Sequence, residues 1–128
     1  MRSIVMCTTC SFPDGPKVNA AGVTGGQMLI AAMRALLAER GRNDVDIEEQ
    51  ACLWNCTQSC SVAIRDPERF SYITGRNQPT EEQADAILAW FDAHGATERG
   101  EVPFREWPQL MKGHFIARIP PLRKAGAE

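Results

Sequence analysis

The chain has 128 residues, with Lys+Arg 14 against Asp+Glu 16, a formal net charge of -2 and 44% apolar residues, which suits one compact domain with a core and excludes wholesale disorder. A slightly acidic chain has no excess of cations to displace phosphate counterions, which argues against nucleic acid as a partner. No run approaches the roughly twenty apolar residues of a membrane span, and the first residues, Met-Arg-Ser-Ile-Val-Met-Cys, lack the apolar core of a secretory signal, so no membrane role and a cytoplasmic location are expected.

In chain order, Ile4, Val5 and Met6 predict a short buried strand that ends at Cys7-Thr8-Thr9-Cys10. Ser11 to Gly26 carries Pro13, Gly15, Pro16, Gly22, Gly25 and Gly26, a density of breakers that predicts an irregular loop. Thr24 is the expected N-cap of a helix, and Gln27 completes a capping box. Met28, Leu29, Ala32, Met33, Leu36 and Leu37 then recur at helical spacing, with Gly41 as the stop. Val45 and Ile47 alternate with Asp46 and Glu48, as in a half-exposed second strand running into Ala51-Cys52. Cys52 to Cys60 reads as a polar loop. Ser61–Arg65 and Phe70–Thr74 read as strands joined by the turn residues Asp66-Pro67-Glu68-Arg69, an antiparallel hairpin. Thr80 caps a second helix, Glu81 and Glu82 face its dipole, and Ala84, Ile87, Leu88 and Phe91 form its apolar stripe with Trp90 beside it. His94-Gly95 ends it.

This order predicts an α/β domain over residues 1–100, with a small mixed sheet of about four strands and two main helices. The first crossover is long enough to join parallel strands. Residues 101–128 mix proline with Val102, Phe104, Trp107, Ile119 and Leu122. They predict an extended C-terminal appendage packed on the same domain, with a short helical turn at Gln109 to Lys112 and fraying from Lys124 to Glu128.

The cysteines carry the chemical signal. The five lie at 7, 10, 52, 56 and 60, an odd number that no complete disulfide framework uses. Cys7 and Cys10 follow the first strand, and Cys52, Cys56 and Cys60 follow the second. If those strands are parallel neighbours, both groups emerge at one sheet edge, where α/β folds build sites. Four converging thiolates fit a tetrathiolate metal or an iron–sulfur cluster. Structural zinc is equally allowed, because Cys7-x2-Cys10 and Cys52-x3-Cys56 both have knuckle spacing. A dithiol redox centre at Cys7 and Cys10 is a further reading, but loop rather than helix follows Cys10, and it leaves three cysteines unexplained. Chance burial of small apolar side chains poorly explains cysteines confined to polar loops.

A strand ending in cysteine, a helix, a second strand and then Cys52-Leu53-Trp54-Asn55-Cys56 before a hairpin resembles the thioredoxin-like [2Fe–2S] ferredoxins. The resemblance covers roughly residues 2 to 93. It implies a thioredoxin-like fold, a one-electron carrier rather than an enzyme, a redox partner protein, and Cys7, Cys10, Cys52 and Cys56 as ligands of a [2Fe–2S] cluster. It also implies that a homodimer is open to this chain. Two departures stand out: the first pair is closer than in relatives, and Cys60 is additional, either a replacement for Cys52 or Cys56 or a spare. Nearly the whole chain is also similar to a bacterial family of predicted metal-binding proteins. The matching stretches are Val5-Met6-Cys7-Thr8-Thr9-Cys10, Cys52 to Cys56 with Cys60 to Ile64, Val102 to Glu106 and Ala117 to Pro121. Genes of that family are often found beside cobalamin-biosynthesis genes, which implies cobalt reduction or another step of cobalamin assembly as a context. A zinc- or cobalt-binding module for sensing or delivery is the alternative.

Other residues have two readings each. Trp54 either shields the site or is an exposed loop aromatic. Thr8, Thr9, Asn55, Thr57 and Ser59 either bond the sulfurs or are ordinary loop polarity. His94 and His114 are expected at a helix end or the surface. Gly25-Gly26 is not a phosphate loop. Arg105, Arg118, Arg123 and Lys124 form a locally basic stretch, either a docking patch or solvated surface. Phe104, Trp107 and Phe115 either serve an interface or cap the core.

Overall fold

The computed structural model describes residues 2–54 and 58–122. Strand β1 spans Ser3–Cys7, helix α1 Gly25–Glu39, β2 Asp46–Gln50, β3 Val62–Arg65, β4 Ser71–Thr74, helix α2 Glu81–Gly95, and β5 Phe115–Ile119. The sheet order is β2-β1-β3-β4-β5. Strands β1 and β2 are parallel, and the other neighbours are antiparallel. This is the mixed α/β architecture expected from the chain order. No helix among the described residues is long and apolar enough to cross a membrane.

Local signals place the helices. Thr24 Oγ1 accepts from the Gln27 N–H and the Gln27 side chain returns to the Thr24 N–H, a complete capping box. Thr80 accepts from the Gln83 N–H, and Glu81 and Glu82 occupy the first turn of α2. Cross-strand register puts Ile4 opposite Ile64 and Met6 opposite Val62. These side chains share one sheet face and join Leu29, Met33 and Leu37 of α1 with Ala84, Ile87, Leu88 and Phe91 of α2 in a single core. Trp90 is fully buried in it.

The sheet has five strands, not about four, and the C-terminal segment supplies the fifth. After single turns of 3-10 helix at Phe104–Glu106 and Gln109–Met111, β5 pairs antiparallel with β4. Sequence pattern alone reads this segment as extended because its prolines mask the short β5 run. Its anchor is aromatic. Phe115 lies 4.9 Å from Trp90 and 4.6 Å from Trp107, centroid to centroid, so both tail rings cap the core. Only Phe104 of the three stands largely exposed. The residues from Arg123 onward lie outside the described residues, including the expected frayed end.

At the sheet end where β3 finishes, a buried polar cluster ties β1, α2 and the β3–β4 turn together. Arg2 donates to Asp66 at 2.8 Å and to the Phe91 carbonyl at 2.7 Å, and a guanidinium nitrogen lies 2.7 Å from His94 Nδ1. A guanidinium only donates, so Nδ1 is the acceptor. Nε2 then carries the proton and donates to the Phe70 carbonyl at 2.8 Å. His94 is fully buried at the end of α2. Burial, aided by the nearby Arg2 charge, holds it below its ordinary 6.5. Burial alone would push Asp66 up, but the Glu68 N–H and the Arg69 and Arg2 guanidiniums hold it below its ordinary 3.8.

The pH dependence has a definite sign. Below about 6.5 the unfolded chain takes a proton that folded His94 refuses, so stability is whole above that pH and falls as pH drops below it. The Asp66 contribution is present above 3.8 and is lost as pH falls through its lowered folded value. Denaturant unfolding against pH should therefore decline in two stages. His94→Gln, which can accept from Arg2 and donate to Phe70, should flatten the upper stage only.

Candidate thiolate site

Four segments meet at one edge of the sheet. The parallel register pairs Cys7 with Gln50, so the chain leaves β1 and β2 on the same side, and the Thr8 N–H donates to the Gln50 carbonyl at 2.8 Å. The antiparallel pairing of Met6 with Val62 returns Cys60 and Ser61 to that edge. Strand β4 ends there too, delivering Gly75 to Asn77, where the Arg76 N–H donates to the Gln58 carbonyl at 2.7 Å.

The start of α1 also lies against the first loop. Thr24 Oγ1 donates to the Thr8 carbonyl at 2.6 Å, and the Gly26 N–H donates to the Cys10 carbonyl at 3.0 Å. A Cβ on Gly26 would run into the Cys7 carbonyl, and one on Gly25 would meet Ser11 O at 2.7 Å. Glycine is needed at both positions because backbone packs on backbone. The helix that does not follow Cys10 in sequence thus reaches the cysteine loop through space.

The sulfurs differ in role. Cys7 is 4% exposed, and its Sγ lies 3.6 Å from Thr9 Oγ1 and donates to the Ala51 carbonyl at 3.7 Å. Thr9 Oγ1 also donates to that carbonyl, joining the two loops. Cys10, 6% exposed, accepts the Ser61 N–H at 3.4 Å. Cys52 is exposed and accepts the Trp54 N–H at 3.2 Å. Cys60, 1% exposed, instead donates its thiol proton to the Ser11 carbonyl at 3.4 Å.

Titration follows these contacts. Burial pushes Cys7 up, but hydrogen bonds from Cys10 and Thr9 outweigh it and leave Cys7 below the ordinary thiol value. Cys10 is pushed up to about 11, chiefly by burial, with the Ser61 N–H opposing. Cys60 is pushed up to about 12 by burial and then by the charges of Cys10 and Cys7.

The DUF1636 family model, described as a protein of unknown function, matches residues 4–121. The chain belongs to the DUF1636 family. That description names neither a metal nor cobalamin. No curated protein matches this DUF1636 chain. Solved structures do. A thioredoxin-like [2Fe–2S] ferredoxin from Aquifex aeolicus is similar with a TM-score of 0.57 at 15% identity, over 94% of each chain. A cysteine-to-serine variant of such a ferredoxin from the same organism gives 0.58 at 15% identity, over 91% of this chain and 99% of that one. The wild type gives 0.53 at 13% identity, over 91% and 97%. At such identity the likeness is one of fold alone, and the DUF1636 chain shares the thioredoxin-like fold of these structures.

Of the cysteines singled out in the sequence, Cys7, Cys10 and Cys60 are buried at this edge and Cys52 stands exposed on the facing loop. Cys56 lies outside the described residues, as do Asn55 and Thr57. Among the described residues no three Cys, His, Asp or Glu side chains are grouped to hold a metal ion. The donor chemistry nonetheless fits a thiophilic centre: Cys10 and Cys52 accept backbone N–H bonds, which favour charged sulfur. Trp54 is 93% exposed, so its ring does not cover the site; its backbone N–H is what reaches a sulfur. Thr9 Oγ1 lies beside Cys7 Sγ but spends its proton on the Ala51 carbonyl, and the Ser59 hydroxyl reaches Cys10. His114 bonds the Gly75 carbonyl at 2.9 Å and His94 sits at the far end of the sheet. Sequence reasoning missed the Ser61 amide, Asn77 and the packing of Gly25-Gly26. Only the glycine pair, placed directly after a capping threonine, carried a local signal.

Proposed function

We propose that this chain is a [2Fe–2S] electron carrier, with Cys7, Cys10, Cys52 and Cys56 as the cluster ligands. The observation that carries the reading is the bonding of backbone amides to sulfur on both loops, Ser61 N–H to Cys10 and Trp54 N–H to Cys52. Such bonds stabilise negative charge on sulfur and are a lever on cluster potential. When bound, the cluster supplies one-electron transfer. The chain's own residues hold the sulfurs, bury Cys7 and Cys10 from water, and leave the Cys52–Trp54 rim open to a redox partner protein. Cys60 is the spare in this reading, because the ferredoxin resemblance takes the second pair from Cys52-x3-Cys56; its thiol donates to the Ser11 carbonyl, as the Cys7 thiol does to the Ala51 carbonyl. The shared ferredoxin fold supports the reading at 13–15% identity. The consumer of electrons that best suits it is cobalt reduction or another step of cobalamin assembly, in the reducing cytoplasm.

The test is anaerobic purification followed by a visible spectrum and measurement of iron and acid-labile sulfide. Coloured protein with iron and sulfide in equal amounts is expected. A colourless zinc protein without sulfide, after expression with ample iron, overturns the assignment and favours the metal-binding module. One observation favours a second reading, thiol–disulfide exchange: Cys7 is lowered while Cys10 is raised to about 11. Against it, Cys7 is 4% exposed, and an attacking thiolate needs access.

A further inference from the structure

Asn77, fully buried just beyond β4, commits both hydrogens of its side-chain amide. Nδ2 donates to the Cys60 carbonyl at 3.0 Å and to Thr74 Oγ1 at 3.0 Å, and the Asn77 backbone N–H donates to the same Cys60 carbonyl at 3.2 Å. Thr74 spends its own proton on the Val62 carbonyl at 2.9 Å. Both partners of Nδ2 are therefore acceptors, and a flipped amide would set Oδ1 against two oxygens. In this orientation Asn77 Oδ1 is buried with no hydrogen-bond partner. A buried acceptor without a partner is destabilising, and an apolar side chain of similar size would not incur that cost. What this asparagine contributes is its donors.

Those donors act on one peptide plane. The Cys60 carbonyl and the Ser61 N–H belong to the same rigid unit, pointing in opposite directions. Asn77 clamps the carbonyl end twice. The N–H end donates to Cys10 Sγ at 3.4 Å. Further bonds brace the same stretch, from the Cys60 thiol to Ser11 O and from the Cys7 N–H to Ser61 O at 3.4 Å.

We propose that Asn77 is a positioning residue for the sulfur site: by holding the carbonyl of the Cys60–Ser61 peptide it aims the Ser61 N–H at Cys10 Sγ, and so raises the reduction potential of the centre that Cys10 ligates. The potential half of this statement rests on the cluster reading above; the clamp itself does not. An N–H aimed at sulfur favours the reduced, more negative state, so loosening it lowers the potential.

The test uses Asn77→Leu, similar in volume and without donors, with Thr74→Val as a milder variant should the leucine chain not fold. Asp66→Asn, at the far end of the sheet, is the control for general loosening. Hydrogen exchange at the Ser61 amide of the whole chain is the first readout, and about tenfold faster exchange is expected when the clamp is lost. The second is the potential of the loaded protein. An electron affinity about tenfold weaker is expected, or 59 mV lower for a one-electron couple. Unchanged exchange overturns the clamp. Faster exchange with an unchanged potential overturns its effect on the centre, and an equal fall in potential for Asp66→Asn overturns its specificity. If the wild type holds no iron and sulfide, the cluster reading fails, and the exchange measurement still decides the clamp.

Discussion

Cys10→Ser is expected to abolish the visible spectrum of anaerobically purified protein, while Cys60→Ser keeps it. Both residues are buried cysteines on the same edge, so burial does not separate them. Their bonds do. Cys10 accepts an N–H, as a ligand sulfur does, whereas the Cys60 contact is a donation to the Ser11 carbonyl, and the ferredoxin resemblance leaves Cys60 outside the ligand set. Serine at 60 can make the same donation, so the brace to the first loop survives. Iron and sulfide content should fall about tenfold or more for Cys7→Ser, Cys10→Ser and Cys52→Ser, since losing a ligand costs at least as much as losing an outer-shell partner. Cys56→Ser should behave likewise if the ligand set carried over from the ferredoxins holds. A bleached Cys60→Ser beside a coloured Cys56→Ser would exchange the two assignments.

Gly26→Ala is expected to lower unfolding free energy by about 3 kcal/mol and to empty the site, as read by denaturant unfolding and iron content. The added methyl meets the Cys7 carbonyl, and backbone cannot turn aside as a side-chain tip can. Either α1 moves off the loop or the loop moves off β1. Both break the Gly26 N–H bond to the Cys10 carbonyl and displace Cys7 and Cys10 together. Gly41→Ala is the contrast. Its φ is +62° but nothing lies within 4 Å of the added carbon, so the cost is backbone strain alone, about 1 kcal/mol, with the metal content unchanged. Equal stability loss for both variants, with the site still loaded in Gly26→Ala, would show that the helix start does not hold the loop.

Much of the site was legible in one dimension. Clustering of cysteines after two strands predicts that they share a sheet edge, and the parallel pairing of β1 with β2 delivers this. Capping signals at Thr24 and Thr80 mark both helix starts. Each of these signals lies within a few residues, because helix caps and strand alternation are local. Trp54 shows where such reading stops: its place in the loop was plain, but whether its ring covers a sulfur depends on the path of the chain.

The sequence by itself determined the element order as far as α2, the α/β class and the residues that carry sulfur chemistry, because periodicity, turn residues and thiols are written locally. Tertiary structure decided the rest. It recruits Phe115–Ile119 as an edge strand, since aromatic packing on Trp90, 25 residues away in sequence from Phe115, outweighs the prolines around it. It turns Cys60 into a donor and Cys10 into an acceptor. It also sets Asn77, whose partner carbonyl is 17 residues away, behind the peptide that faces Cys10. These outcomes depend on groups far apart in the chain competing for the same buried space and hydrogen bonds, and no short window of sequence contains both competitors.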